Sequence, residues 1–206
     1  MNNIYLLSNI KVEDYEVINL PVFDIKYIDV EINFNDYDAL IFTSKNAIYS
    51  LEYFKKDYKK VPSYAIAKKT ANILKKYNSN LVYTGISGHG DDFANEIKDK
   101  IKNKKVLYIR ARKVVSNLIN VLNCDDIIVY ETICSKIKDI SINKNAKIIF
   151  TSPSTIQCFF NRYKWDNSFT AICIGKTTAS YLPKNIKFNI SKETSINSCI
   201  ELANNI

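Results

Sequence analysis

The stretch Asp38-Ala-Leu-Ile-Phe-Thr-Ser44 occurs again, 108 residues further along, as Ala146-Lys-Ile-Ile-Phe-Thr-Ser152. At the same offset, Ala65-Ile-Ala-Lys-Lys-Thr-Ala71 matches Cys173-Ile-Gly-Lys-Thr-Thr-Ala179 without a gap. Over residues 38–76, 12 of the 39 aligned positions are identical, well above chance for unrelated segments. The sequence therefore predicts two copies of one structural unit. A period this long with two copies indicates paired domains and not a solenoid.

Each copy alternates between strand and helix patterns. Ala39–Phe42 and Ile148–Phe150 are short apolar runs, typical of strands buried on both faces of a parallel sheet. The Thr-Ser pair after each run predicts a helix start capped by a hydroxyl. We expect the first of these helices to bury one face formed by Ile48, Leu51, Tyr53 and Phe54.

A second strand and helix complete each copy. The strands are predicted at Tyr64–Ile66 and Ala171–Ile174, and the helices at Thr70–Leu74 and Thr178–Leu182. Strand, helix, strand, helix is the pattern of doubly wound α/β domains with parallel sheets.

Composition limits the class of partner. The 206 residues carry 29 Lys and Arg against 21 Asp and Glu, a formal charge of +8, which favours a polycarboxylate, a phosphate or a nucleic acid. A Lys-rich composition in ordinary surface positions explains the same number. The basic residues form no long run and no interleaved aromatic motif, so RNA binding ranks last.

No apolar run approaches the roughly 20 residues of a membrane span, and no signal peptide precedes the first strand, so we expect a cytoplasmic protein.

The chain has few residues of the types that bind metal ions or activate nucleophiles. The chain has one histidine, His89, and five cysteines, none of which forms a C-x-x-C pair. This pattern predicts free, buried thiols, no zinc site and no His-activated nucleophile. Any chemistry must use hydroxyls, Tyr, Lys, carboxylates or backbone groups.

Both repeated turns fall at the carboxyl ends of parallel strands, where such sheets bind ligands and where helix N-termini attract anions. We expect the two edges to face one cleft suited to carboxylates or phosphates. For any single hydroxyl, helix capping alone is the competing explanation, and the Gly85–Gly90 stretch is either an anion-binding turn or an ordinary loop. The predicted binding residues are Thr43, Ser44, Asn46, Lys68 and Thr70 in the first copy, and Thr151, Ser152, Ser154, Lys176, Thr177 and Thr178 in the second.

These motifs also carry a resemblance. The two Phe-Thr-Ser-x-x-x-Ile segments, Ile174-Gly-Lys-Thr-Thr-Ala179 and Val129-Tyr-Glu-Thr132 together resemble uroporphyrinogen-III synthase over nearly the whole chain. Ala67 stands where the family has glycine, Ser8-Asn9 where Arg-Pro is often found, and Ala111 where a glycine commonly follows Arg. The resemblance implies a division that the repeat alone does not. A domain of residues 1–20 plus 134–206 and a domain of residues 28–127 would be joined by linker strands 20–28 and 127–134, with the chain crossing twice.

The resemblance also implies a reaction. A lyase of this family removes water from hydroxymethylbilane, a linear tetrapyrrole with many carboxylates, and closes it to uroporphyrinogen III with ring D inverted, without metal or cofactor. We expect a monomer that binds neither nucleic acid nor membranes. Tyr130 is the candidate for assisting departure of the hydroxyl group; a strand aromatic with its hydroxyl on water is the plain alternative. A non-catalytic two-domain receptor for an anionic small molecule is the alternative function.

Overall fold

The computed structural model describes residues 3–10, 12, 15–135 and 140–206. The chain is a mixed α/β protein whose contacts divide it into two compact units. Unit 1 comprises Met1–Asp24 and Ile133–Ile206, and unit 2 comprises Ile25–Thr132. The predicted domain 1–20 plus 134–206 contains residues 1, 2, 11, 13, 14 and 136–139, which lie outside the described residues.

The described residues form eleven strands and seven α-helices. The strands are β1 (Ile4–Leu7), β2 (Ile18–Asn19), β3 (Phe23–Tyr27), β4 (Ala39–Phe42), β5 (Ser63–Ala65), β6 (Leu81–Thr84), β7 (Val106–Ala111), β8 (Asp125–Cys134), β9 (Lys147–Phe150), β10 (Thr170–Cys173) and β11 (Phe188–Ile190). The helices are α1 (Lys45–Tyr53), α2 (Lys68–Lys76), α3 (Gly90–Ile97), α4 (Leu118–Leu122), α5 (Pro153–Phe160), α6 (Lys176–Ala179) and α7 (Ile196–Asn204).

Unit 1 is built on a five-stranded sheet in the order β11-β10-β9-β1-β2, with every pairing parallel. The central strands are apolar at consecutive positions. Because alternate residues of a strand point to opposite faces, both faces of the sheet are apolar. Leu6 and Ile149 pack on one side with Ile200 of α7. Leu7 and Phe150 pack on the other side with residues of α5 and α6.

Unit 2 has a six-stranded sheet in the order β3-β8-β7-β4-β5-β6. Its pairings β4·β5, β4·β7, β5·β6 and β7·β8 are parallel. Leu40 and Phe42 face α1 and α2, whereas Ile41 packs with α3 and α4 on the opposite face. The order β6-β5-β4-β7-β8 repeats the order of unit 1 in corresponding strands, as expected for a duplicated unit.

Parallel α/β architecture is confirmed, but two predicted helices differ in detail. Tyr53 is 68% exposed and does not belong to the buried face of α1. It lies two positions after Leu51, roughly 200° around the helix, so its ring reaches the surface and packs on Phe54. The helix predicted through Leu182 ends at Ala179. The N–H of Leu182 donates to Ala179 O in a turn, and Pro183, which follows, disfavours a helical conformation at Leu182.

The prediction that the cysteines are free thiols is wrong for Cys134 and Cys158, which form a disulfide between the end of β8 and α5. Cys124, Cys173 and Cys199 are free. The two bonded residues are 24 positions apart, so no local spacing indicates the pair. The packing of Cys134 against the core that contains Cys158 brings them together.

Opening this disulfide is expected to lower the free energy of unfolding of unit 1 by about 3 kcal/mol, because the reduced, unfolded chain regains the entropy of the closed loop. Thermal unfolding with and without reductant measures the effect. Denatured protein purified without reductant should titrate as three thiols, and as five after reduction. A Cys134→Ser/Cys158→Ser variant, whose melting should ignore reductant, is the control. Five thiols before reduction would show the bond to be absent in solution.

Candidate functional site

The carboxyl edge of the unit 2 sheet contains a cavity of about 190 Å³. The parallel strands β4, β5, β7 and β8 all end towards this edge, so the segments that follow them converge there. Its lining includes Thr43, Ser44, Tyr108, Lys113 and Tyr130. Three of these residues are predicted site residues: the adjacent Thr43 and Ser44, and Tyr130, which lies far from them in the sequence.

A β-bulge aims Tyr130 at this cavity. The β7·β8 register shifts between Arg110 and Ala111, so that Arg110 pairs with Ile128 but Ala111 pairs with Tyr130. Such a bulge re-aims the side chain that follows it. Tyr130 is 7% exposed, and its phenol interacts with the Ser44 side chain.

Burial sets the protonation state of this phenol. Desolvation raises the pKa of Tyr130 above its ordinary value of 10.0, and the Ser44 hydrogen bond only partly offsets that effect. The phenol therefore keeps its proton at neutral pH and can donate it.

The two hydroxyls after β4 have protein partners. Ser44 caps α1, since its side chain accepts a hydrogen bond from Asn46 N at 3.2 Å. Thr43 Oγ1 lies 2.7 Å from the hydroxyl of Tyr108. Thr43 and Ser44 therefore line the cavity while their hydroxyls also bond within the protein.

The start of α2 presents its lysines and buries its threonine. Lys68 and Lys69 are exposed, whereas Thr70 is buried and its N–H donates to Ala67 O at 3.0 Å. The backbone at Ala67 is extended (φ −160°, ψ 168°), nearly the same as at Gly175 of the other copy (φ −177°, ψ 171°). This conformation suits any residue, so alanine at position 67 introduces no backbone strain.

Unit 1 presents a similar edge with different hydrogen bonds. Thr151 Oγ1 donates to Leu7 O at 2.8 Å, and Ser152 and Thr155 form a capping box at the start of α5. Lys176 and Thr177 are exposed and Thr178 is buried at the start of α6. Ser154 lies half-buried in the first turn of α5.

The Gly85–Gly90 loop is occupied by a side chain of the protein itself. Glu96 accepts hydrogen bonds from the backbone N–H groups of Ile86 at 3.0 Å and Ser87 at 3.3 Å. Because a carboxylate already occupies these N–H groups, an ordinary loop is favoured over a free anion-binding turn.

Arginines near the cavity are paired with carboxylates. Arg110 Nε lies 2.6 Å from Asp126 Oδ2, and Arg112 Nε lies 2.7 Å from Glu131 Oε2. Lys113 is exposed and lines the cavity. Among the residues that the structure describes, no group of three or more His, Cys, Asp or Glu side chains could hold a metal ion.

Sequence reasoning missed Tyr108 and Lys113. Tyr108 lies in the middle of an apolar strand, where its pattern is that of a core residue. The signal that could have found it is the repeat, which aligns Tyr108 with Leu6 and places a phenol where the other copy has an aliphatic side chain.

Comparisons with known proteins agree with this architecture. A family model described as uroporphyrinogen-III synthase HemD matches residues 6–201. The crystal structure of uroporphyrinogen-III synthetase from Helicobacter pylori 26695 covers 100% of this chain and 99% of that chain, with 27% identity and a TM-score of 0.87. A mutant uroporphyrinogen III synthase from Thermus thermophilus covers 100% of this chain and 98% of that one at a TM-score of 0.57; at 12% identity it supports the fold alone.

No curated protein sequence matches the chain. Within the described parts of the chain, no helix is both long enough and apolar enough to pass through a bilayer.

Proposed function

This chain belongs to the uroporphyrinogen-III synthase family, and from that premise we propose that the reaction centre is the unit 2 cavity beside Tyr130. The enzyme is a lyase of haem biosynthesis that closes hydroxymethylbilane to uroporphyrinogen III with loss of water and inversion of ring D. The observation that carries this function is the family match over residues 6–201, joined by a structural likeness at a TM-score of 0.87.

We assign to Tyr130 the departure of the hydroxyl group. Its phenol is protonated at neutral pH, and Tyr130 borders the cavity together with Ser44. Transfer of the phenolic proton to the hydroxyl breaks the C–O bond and releases water. The products of this step are a Tyr130 phenolate and an electrophilic azafulvenium cation on the bilane.

The remaining steps balance without another reagent. The substituted carbon of ring D attacks the cation and gives a spiro intermediate, which breaks the bond from that carbon to the neighbouring methylene. The free carbon of ring D then bonds to this methylene and loses its proton, which the Tyr130 phenolate takes up. The net change is the loss of one water molecule.

Positioning supplies most of the catalysis in this scheme. The bilane also closes spontaneously, without inversion, so the enzyme must hold a flexible chain in the geometry that inverts ring D. Correct positioning can supply as much as roughly 7–11 kcal/mol of a barrier. The small number of acid–base groups in this chain is therefore compatible with the reaction.

We propose that the edges of both units bind the carboxylates of the substrate. The exposed Lys68, Lys176 and Thr177 support this assignment, as does the chain's +8 charge. For hydroxyls that are buried or bonded within the protein, the proposed mode is contact through the first N–H groups of the adjoining helix, which lack intrahelical partners. These residues are Ser44, Thr70, Thr151, Ser152 and Thr178; Thr43, Asn46 and Ser154 complete the proposed set. The N–H groups of Thr70 and Ser152 themselves are bonded to Ala67 O and Thr155 Oγ1.

The predicted division into domains 1–20 plus 134–206 and 28–127, with linker strands 20–28 and 127–134, is part of the proposal. Its support is that both boundaries between the compact units fall inside strands, one in β3 and one in β8. We further propose a cytoplasmic monomer that binds neither nucleic acid nor membranes. Sedimentation of the purified protein, alone and with RNA or vesicles, tests this.

Freshly prepared hydroxymethylbilane mixed with the protein should yield uroporphyrinogen III as the main product. Chromatography that resolves the uroporphyrinogen isomers measures the outcome, and a reaction without protein supplies the uninverted baseline. A two-domain receptor that merely binds an anion, the alternative function, would leave only the uninverted isomer.

A further inference from the structure

A second phenol borders the cavity beside Tyr130. Tyr108 is only 1% exposed, yet it contributes to the cavity lining, and its hydroxyl lies 2.7 Å from Thr43 Oγ1. Neither the loss of water nor the ring closure proposed for this cavity uses Tyr108. A role for this phenol in the reaction rests on the proposed function of the cavity.

The geometry of the Tyr108–Thr43 hydrogen bond allows either hydroxyl to donate, and the acidities of the two groups favour Tyr108 as the donor. A phenol is a much stronger acid than an aliphatic alcohol, so the phenol is the better donor and the threonine hydroxyl the better acceptor. Burial raises the pKa of Tyr108 above its ordinary value of 10.0, and the Thr43 hydrogen bond only partly offsets that effect, so Tyr108 keeps its proton at neutral pH. When Tyr108 donates, the proton of the half-buried Thr43 hydroxyl is left for a partner in the cavity.

The two copies of the repeat differ at this place. Strand register pairs Tyr108 with Ile41 in unit 2 and Leu6 with Ile149 in unit 1, so Leu6 is the counterpart of Tyr108. In unit 1, Thr151 donates its proton to the backbone oxygen of Leu7. Of the two equivalent threonines, the one in unit 2 has a phenol as partner, and the repeat likewise aligns Tyr130 with Phe23.

We propose that Tyr108 is a positioning residue for the cyclisation. Its phenol donates to Thr43 and thereby directs the Thr43 hydroxyl proton at the departing hydroxyl group, as a second donor beside Tyr130. The duplicated edge of unit 2 thus carries two hydroxyl donors where unit 1 has Leu6, Phe23 and a threonine bonded to its own backbone.

The test compares Tyr108→Phe, Thr43→Val and the double variant in the isomer assay. Each single variant should lower kcat about tenfold with little change in KM. The double variant should lose no more activity than Thr43→Val alone, because both substitutions interrupt the same hydrogen-bond chain from Tyr108 through Thr43. Thr43→Ser, which keeps a hydroxyl, should recover most of the activity. Tyr64→Phe is the control, since this buried phenol of the same sheet contacts Lys104 and does not line the cavity.

Melting temperatures identify a variant that fails to fold, in which case the Thr43→Val and Thr43→Ser pair decides alone. Wild-type kcat in Tyr108→Phe, losses that multiply in the double variant, or equal activities of Thr43→Val and Thr43→Ser would each overturn the assignment. If the wild-type protein makes no uroporphyrinogen III, the proposed function fails. If it does and these variants match it, only the role of Tyr108 fails.

Discussion

Tyr130→Phe is expected to lower kcat by about 100-fold, because a positioned general acid contributes at least roughly that factor. The substitution removes one oxygen and keeps the ring that packs with Val129 in the core. KM should change much less than kcat, since carboxylate binding is assigned to other residues. Initial rates of uroporphyrinogen III formation, corrected for spontaneous closure, measure both constants.

The isomer ratio sharpens this test. Slower enzymatic loss of water leaves more substrate to close spontaneously, so the fraction of uninverted product should rise in Tyr130→Phe. Tyr53→Phe provides a matched control, because the same atom is removed from an exposed phenol of unit 2. Unchanged kcat in Tyr130→Phe would remove Tyr130 from catalysis.

The pH dependence has a definite sign. Burial raises the pKa of Tyr130 above 10.0, and the reaction requires the protonated phenol. Ionisation of Tyr130 should therefore leave kcat unaffected below pH 10 and lower it as pH rises through the raised pKa. The same holds for stability: the contribution from burying a neutral phenol persists below pH 10 and is lost as pH rises through the raised pKa.

Gly85→Ala is expected to destabilise unit 2 by about 3 kcal/mol, at the upper end of the usual range for overpacking. A Cβ at this position would lie 2.4 Å from Ile66 O and 2.6 Å from Phe93 Cδ2. Neither neighbour can move easily, because one is backbone and the other belongs to a fully buried ring. Gly85 N also donates to Ala65 O, which holds the loop close to β5.

Gly175→Ala is the matched control. A Cβ there meets nothing nearer than Thr194 Oγ1 at 4.0 Å, and the repeat already places alanine at the equivalent position 67. Its effect should stay within about 0.5 kcal/mol. Denaturant unfolding of both variants measures the difference, and equal stabilities would contradict the close packing at Gly85.

The sequence by itself determined the architecture. The repeated apolar run indicates a strand that is buried on both faces, and the Thr-Ser pair after it indicates the start of a helix. Both are local properties of the sequence. Because the same pattern returns after 108 residues, the duplication was also visible, and the order of the motifs was sufficient to indicate the family. The choice of Tyr130 as a candidate for catalysis followed from that resemblance.

Only the tertiary structure decided which side chains meet. Tyr108 bonds Thr43 across 65 residues because β7 lies beside β4, and Cys134 bonds Cys158 because β8 ends against the core that contains α5. The bulge between β7 and β8 gives Tyr130 its direction. The structure also shows that Ser44 and Ser152 cap helices and that Thr151 donates to a backbone oxygen. The sequence pattern alone does not distinguish these contacts from contacts with a ligand. The physical reason is that periodicity and capping act within one turn or strand, whereas strand order, register and bulges depend on the whole folded sheet.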